Sequence, residues 1–96
     1  MYASARELPK EFALHQNYPN PFNPVTVIRY QLPVQSHVTL KIYNLLGQEV
    51  RTLVDEVQEA GYKSVEWNAA GMASGVYFYR LRAGNFVDVK KLPLLK

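Results

Sequence analysis

The chain has 96 residues, of which 48% are hydrophobic and 20% charged, and its formal net charge is +3. This length gives room for one hydrophobic core, and the apolar content excludes a disordered tail. No apolar run approaches the roughly 18 residues that a membrane span needs, and the absence of cysteine excludes disulfides and thiol chemistry.

Residues 1–10 are interpreted as a linker or an expression start, because they contain no charged start followed by the apolar stretch of a signal peptide. The domain itself is expected to span residues 11–96. We therefore expect the chain to be a fragment from the end of a larger protein.

A proline-rich segment, here called the strap, covers residues 17–24. It consists of Asn17, Tyr18, Pro19, Asn20, Pro21, Phe22, Asn23 and Pro24. Each proline fixes its own φ and favours an extended conformation in the residue before it, so the segment can be neither a helix nor a central strand. We expect it to lie across the mouth or edge of a β-domain formed by residues 25–96, with Tyr18 and Phe22 as apolar anchors.

Four predicted elements follow the strap. Residues 25–32 alternate between apolar and polar positions, as do residues 37–43, which is typical of half-buried strands. Asn44 to Gly47 forms a turn in which glycine can adopt a positive φ, and residues 48–54 return as the second strand of a hairpin.

The second half of the chain continues this pattern after a polar, acidic connection at residues 55–60. Further strands are expected at residues 61–67, 76–82 and 86–95. Trp67 is the expected core anchor, residues 68–75 form a loop, and residues 76–82 are expected to be a central strand. About seven short strands separated by turns predict an all-β fold, an immunoglobulin-like antiparallel β-sandwich.

Catalysis is not expected from the candidate groups in the sequence. His15 and His37 have no partner at metal-ligand spacing, and the acidic residues of 55–60 are interpreted as a charged loop rather than an acid and base pair. Ser74 precedes a strand and lacks the spacing of a nucleophile elbow. We predict no enzyme, no metal and no cofactor. The basic residues are scattered, so nucleic acid is not an expected partner either.

Aromatic residues could instead form a platform for stacking on sugars. The candidates are Tyr43, Tyr62, Trp67, Tyr77 and Tyr79. Tyr77 and Tyr79 share a strand face with Leu81, which favours packing in the core over a carbohydrate-binding role.

The order of residues 16–33, which includes the strap and the spacing Thr26, Ile28, Tyr30, Leu32, resembles the type A C-terminal sorting domain of the type IX secretion system. Further matches are Val38, Leu40, Ile42, Tyr43, Asn44, Gly47, Glu49, Val50, Leu53, Ala60, Gly61, Trp67, Ser74, Gly75, Val76, Tyr77, Leu81, Gly84 and the stretch from Lys91 to Lys96.

The resemblance implies that the chain is an immunoglobulin-like sandwich that acts as a non-catalytic secretion signal. The protein to be secreted, the cargo, would be a domain fused on its N-terminal side. An outer-membrane translocon would read it after the cargo has reached the periplasm, and a surface sortase would remove it, leaving the cargo on the cell surface or in the medium of a Gram-negative bacterium of the Bacteroidetes type. The recognition elements carry over to Gly75, Val76, Tyr77, Gly84, Lys91, Leu92, Leu94, Leu95 and Lys96.

Pro93 departs from the family pattern, which usually has an apolar residue at this position. Proline removes a backbone donor, so the last strand is expected to lie at a sheet edge or to end by Leu92.

The immunoglobulin-like domain of flagellar hook-capping proteins is also similar and would make the chain a structural or adhesive module. Its loop after the tryptophan is usually longer, and the lysine-rich tail favours sorting. Weak self-association through an edge strand is left open.

Overall fold

The structure, a computed structural model, describes residues 7–95, which form seven antiparallel strands in two sheets. The strands are β1 (Ala13–Leu14), β2 (Val25–Leu32), β3 (Ser36–Tyr43), β4 (Glu49–Gln58), β5 (Gly61–Asn68), β6 (Gly75–Ala83) and β7 (Phe86–Leu94). One sheet has the order β1-β2-β5 and the other β4-β3-β6-β7. The predicted all-β sandwich is confirmed. Within residues 7–95, no helix is long and apolar enough to cross a membrane.

The core lies between the inner faces of the two sheets, as the alternation in the sequence predicts. Ile28 of β2, Leu40 of β3 and Leu81 of β6 are each 0% exposed. Burial of each such side chain contributes about 1.5–3 kcal/mol. Trp67 of β5 is also buried, and its ring lies 6.2 Å from that of Tyr77 on the opposite sheet. Aromatic contact therefore joins the sheets at this end of the core.

The prediction that residues 55–60 form a connection is wrong, because β4 continues to Gln58. Its last residues pair with β3, with Asp55 opposite Thr39 and Val57 opposite His37. As an edge strand β4 has mostly exposed side chains, so no apolar alternation marks it in the sequence. Backbone pairing, rather than side-chain burial, holds this part of the strand.

The hairpin of β6 and β7 turns on Gly84 and Asn85, between the paired residues Ala83 and Phe86. Gly84 has a φ of +59°, and glycine at the first position of a two-residue loop is typical of a type II′ turn. Its place in the sequence is thus explained by the geometry of the turn.

Of the two alternatives expected for the last strand, the first is found: β7 is an edge strand, and its pairing with β6 continues past Leu92 to Leu94. The carbonyl of Pro93 accepts a hydrogen bond from the N–H of Phe22 in the strap, on the side away from β6. In a strand, the N and C=O of one residue point to the same side. The missing donor of Pro93 therefore faces away from β6, and no hydrogen bond between the two strands is lost.

Two buried tyrosines tie neighbouring segments together. The hydroxyl of Tyr79 in β6 donates to the carbonyl of His15 at 2.6 Å, and that of Tyr30 donates to Oε1 of Gln58 at 2.6 Å. Burial raises the pKa of Tyr79 to about 12 and also raises the pKa of Tyr30. The neutral phenols are therefore the forms that the folded chain favours.

The Tyr79 phenol should make the fold sensitive to alkaline pH. An unfolded tyrosine has a pKa near 10, whereas the pKa of folded Tyr79 is about 12. The contribution of this difference to the free energy of unfolding is therefore complete below about pH 10 and is lost as the pH rises through about 12. Tyr79→Phe should lower the free energy of unfolding by about 1 kcal/mol at neutral pH, because the hydrogen bond to His15 is lost. It should lose less stability than the parent between about pH 8 and about pH 11, as measured by urea unfolding. An equal loss in both proteins would contradict this role for Tyr79.

Candidate functional site

The strap pairs through its backbone with both sheets. Tyr18 and Val27 of β2 exchange two hydrogen bonds, Tyr18 N to Val27 O at 3.0 Å and Val27 N to Tyr18 O at 2.9 Å. Four residues later, Phe22 N donates to Pro93 O at 3.1 Å, and Leu95 N donates to Phe22 O at 2.9 Å. The strap therefore crosses from one sheet to the outer edge of the other, and it holds the end of β7 in place.

The two aromatic residues of the strap lie in different surroundings. Phe22 is 1% exposed and its ring lies 5.8 Å from that of Trp67, between the sheets. Tyr18 is 71% exposed, so the prediction that it anchors the strap through its side chain is wrong. Its backbone is fully engaged with Val27 instead, and this leaves the ring pointing to solvent. Phe22 alone of these two rings closes the core.

Asn17, at the start of the strap, is 2% exposed and holds the chain reversal that follows it. Its Nδ2 donates to Pro19 O and to Oγ1 of Thr26, both at 2.9 Å, and that hydroxyl in turn donates to Pro19 O at 3.1 Å. A buried amide needs these partners to offset its desolvation. Gln16 Nε2 donates to Asn17 Oδ1 at 2.6 Å and so extends the network outward.

The free edge of β7 is covered along its length by other parts of the chain. At its start, the ring of Phe12 stacks on Phe86 with 5.5 Å between centroids. Further along, Val89 N donates to Oδ1 of Asp88 at 2.8 Å, and Gln16 Nε2 donates to Lys91 O at 2.8 Å. The strap covers the end of the edge. Gln16 belongs to the stretch 16–33 that carries the resemblance, but nothing in the sequence indicated its contact with Lys91, because the two positions are 75 residues apart.

The resemblance gives a set of residues a role in recognition, and the structure divides them into two groups. At the end of the sandwich near the strap, Gly75 lies opposite Leu94 and Tyr77 opposite Leu92. Gly84 lies at the other end of the same hairpin, and Lys96 lies outside the described residues. The structure thus brings together the start of β6 and the end of β7, but not Gly84.

Exposure divides the first group further. Leu92 and Leu94 are buried at 0% and 1%, and Tyr77 at 8%, with its hydroxyl donating to Ala73 O at 2.7 Å. Four members face solvent and are available for contact with another molecule. They are Gly75, Val76, Lys91 and Leu95.

Within residues 7–95, no group of three or more His, Asp or Glu side chains could hold a metal ion. His37 Nε2 lies 2.8 Å from Asp55 Oδ1 in an exposed pair, and His15 Nε2 lies 3.3 Å from Gln31 Oε1. Trp67, Tyr77 and Tyr79 are buried, as the prediction of core packing requires, so these three rings form no platform for stacking on sugars. The outward residues at the paired ends of β6 and β7 offer a surface for contact with another molecule.

Comparison with known proteins identifies one family. The family model described as a secretion system C-terminal sorting domain matches residues 16–94. The match begins one residue before the strap and ends at the last residue of β7. No curated protein and no solved structure matches the chain.

Phe22 and Tyr18 offer a matched test of the strap. Phe22→Ala should lower the free energy of unfolding by about 3–5 kcal/mol, because it opens a cavity beside Trp67. Tyr18→Ala should change it by no more than about 0.5 kcal/mol, because that ring is exposed. Urea unfolding followed by tryptophan fluorescence measures both values. Similar losses in the two variants would contradict the assignment of Phe22 as the anchor.

Asn17 and Asn20 allow a second comparison within the strap. Asn17→Ala should cost about 1–3 kcal/mol, because the buried hydroxyl of Thr26 loses a partner and Pro19 O loses a donor. Asn20→Ala removes an exposed side chain and should cost less than about 0.5 kcal/mol. Thermal unfolding monitored by circular dichroism gives the ranking, and an unchanged midpoint for Asn17→Ala would rule out a supporting role for its network.

Proposed function

Because the chain belongs to the family of secretion system C-terminal sorting domains, we propose that it directs a fused cargo protein across the outer membrane by the type IX secretion system. The single observation that carries the proposal is the family match, which includes the strap and all strands from β2 to β7. The domain acts as a signal and catalyses no reaction. The cargo passes through the periplasm, and its destination is the cell surface or the surrounding medium.

The outer-membrane translocon is the proposed receptor of the paired ends of β6 and β7. Val76 is 37% and Leu95 58% exposed, and Lys91 also faces solvent. Together they offer apolar contact beside a positive charge. Leu92 and Leu94 support this surface from below, since they are packed in the core. Lys96 belongs to the same proposed recognition tail.

Gly84 has a different part in this proposal. It lies at the far end of the hairpin and sets the turn that aligns β7 with β6. We propose that it acts on recognition through this alignment, with no contact of its own to the translocon.

After translocation, a surface sortase is the proposed second partner. It would separate the domain from the cargo on the N-terminal side of the sandwich, where residues 1–10 are proposed to form the linker. The cargo would then remain attached to the surface or be released. The sandwich of residues 11–96 is proposed to be the unit that is removed.

Self-association through β7 is not part of the proposal. Phe12, Asp88, Gln16 and the strap cover the edge of this strand, so little backbone is left for pairing with a second copy. The other edge of the same sheet, β4, is irregular, since its register with β3 shifts twice, and it carries several charged residues. Both features oppose edge-to-edge pairing.

Export of a reporter tests the proposal. Residues 8–96 are fused behind a fluorescent protein that carries a periplasmic signal peptide, in a bacterium that has type IX secretion. The intact fusion should reach the surface or medium, and deletion of residues 90–96 should leave it in the periplasm. Because that deletion also removes the buried Leu92 and Leu94, a second variant is needed that keeps the fold.

Val76→Asp provides this variant, with Val57→Asp as its matched control. Both valines are exposed strand residues, at 37% and 57%, but Val57 lies on the far edge strand β4. Val76→Asp should lower export several-fold, and Val57→Asp should leave it unchanged. Export that persists in the deletion variant would overturn the sorting function, whereas equal export of the two point variants would overturn only the proposed contact surface.

A further inference from the structure

The outer face of the four-stranded sheet has two halves that differ in charge. On β3 and β4 the charges are paired, with Lys41 Nζ 3.3 Å from Glu49 and His37 Nε2 2.8 Å from Asp55. On β6 and β7 the outward residues include three cations, Arg80, Arg82 and Lys91, and none of them forms an ion pair with another residue of 7–95.

Exposed valines lie beside these cations. In the register of β6 and β7, Arg80 is opposite Val89 and Arg82 is opposite Val87. Val87 and Val89 are 47% and 50% exposed. The face of β6 and β7 therefore alternates positive charge with apolar surface. The nearby carboxylate of Glu49 interacts with the charge of Arg80 but forms its ion pair with Lys41.

A groove of about 290 Å³ lies beside this face, next to the turn between β3 and β4. Its walls are formed mainly by Tyr43, Leu45, Phe78, Arg80 and Val89. Leu45, from the turn between β3 and β4, is 70% exposed, which is unusual for a large apolar side chain. The groove is mostly apolar, with one charged side chain in its wall.

Arg80 has an unused donor in this groove. Its guanidinium carbon lies 5.0 Å from the centroid of the Tyr43 ring, which fixes the side chain by a cation–π contact. Its Nε is buried and has no acceptor among residues 7–95. A buried N–H without an acceptor is costly, and a carboxylate is the acceptor that a guanidinium matches best.

We propose that the outer face of β6 and β7 binds an acidic polypeptide segment in an extended conformation. A carboxylate of the segment pairs with the guanidinium of Arg80, further carboxylates pair with Arg82 and Lys91, and apolar side chains contact Val89 and Leu45. This surface shares Lys91 with the end of the hairpin to which the sorting function is assigned, but its contacts at Arg80, Arg82 and Val89 lie outside that end. The inference therefore goes beyond the proposed function.

The depth of the donor favours a polypeptide over a lipid surface. A bilayer contacts residues that protrude, whereas Arg80 lines a groove. A single side chain on an extended peptide can enter the groove while its neighbours remain on the face. Nucleic acid would need exposed rings for stacking, and the ring of Tyr43 is covered by Arg80.

A titration with a defined peptide tests the inference. The probe is acetyl-Val-Glu-Val-Glu-Val-Glu-amide, and the control peptide has glutamine in place of glutamate. Both are added at low salt to the ¹⁵N-labelled chain, and backbone amide shifts are followed by NMR. The acidic peptide should shift the amides of residues 78–82 and 87–91, and the neutral peptide should shift them much less.

Variants locate the contact. Arg80→Gln should weaken binding about tenfold or more, because it removes the charge that pairs with the carboxylate. Arg29→Gln, on the outer face of the other sheet, is the matched control and should bind as the parent does. Val89→Glu adds a negative charge, the same sign as that of the peptide, at an exposed position of the groove wall. It should therefore also weaken binding without affecting the fold.

Three outcomes would overturn the inference. The first is an absence of shifts with the acidic peptide, and the second is an equal effect of Arg29→Gln and Arg80→Gln. The third is binding to vesicles of anionic phospholipid together with no binding to the peptide, which would assign the face to a membrane surface. None of these measurements depends on secretion, so they separate this inference from the sorting function.

Discussion

The backbone pairing of the strap with both sheets is the constraint on which the rest of this structure depends. A two-layer sandwich has no covalent tie between its sheets except the loops, and this chain has no cysteine to supply a disulfide. The strap joins β2 to the edge strand β7 within five residues, from Tyr18 to Phe22. Phe22 then fills the space beside Trp67, so the segment that joins the sheets also completes the core.

This arrangement explains how the last strand can be both an edge and a stable element. Edge strands are prone to pair with other chains, and β7 also contains a proline, Pro93, which lacks a backbone donor. Pro93 stands where its carbonyl bonds to the strap, so its missing donor costs no pairing with β6. Gln16 and Asp88 satisfy neighbouring backbone groups of the same edge. Residues at the start of the domain thus occupy the backbone groups of its last strand that would otherwise be free to pair with another chain.

The sequence predicts those parts of the fold in which burial alternates along a strand. β2, β3 and β6 pack on the core with every second residue, and the period of two is visible at once. The end of β4 escaped prediction because its residues are exposed and its pairing is made by the backbone. The exposure of Tyr18 was likewise hidden, because an aromatic residue among prolines looks the same in sequence whether its ring or its backbone makes the contacts.

The candidate site was predictable only as a set of matched positions, and the structure gives these positions different physical roles. Along β7, Leu92 and Leu94 point inward and hold the strand, whereas Lys91 and Leu95 remain on the outside. Strand geometry forces this division, since neighbouring side chains lie on opposite faces. A partner that docks on the folded domain contacts the outward set, and the inward set affects docking by fixing the strand. Arg82 and Lys91 also point outward and form no ion pair within residues 7–95, so their charge contributes little to the stability of the core.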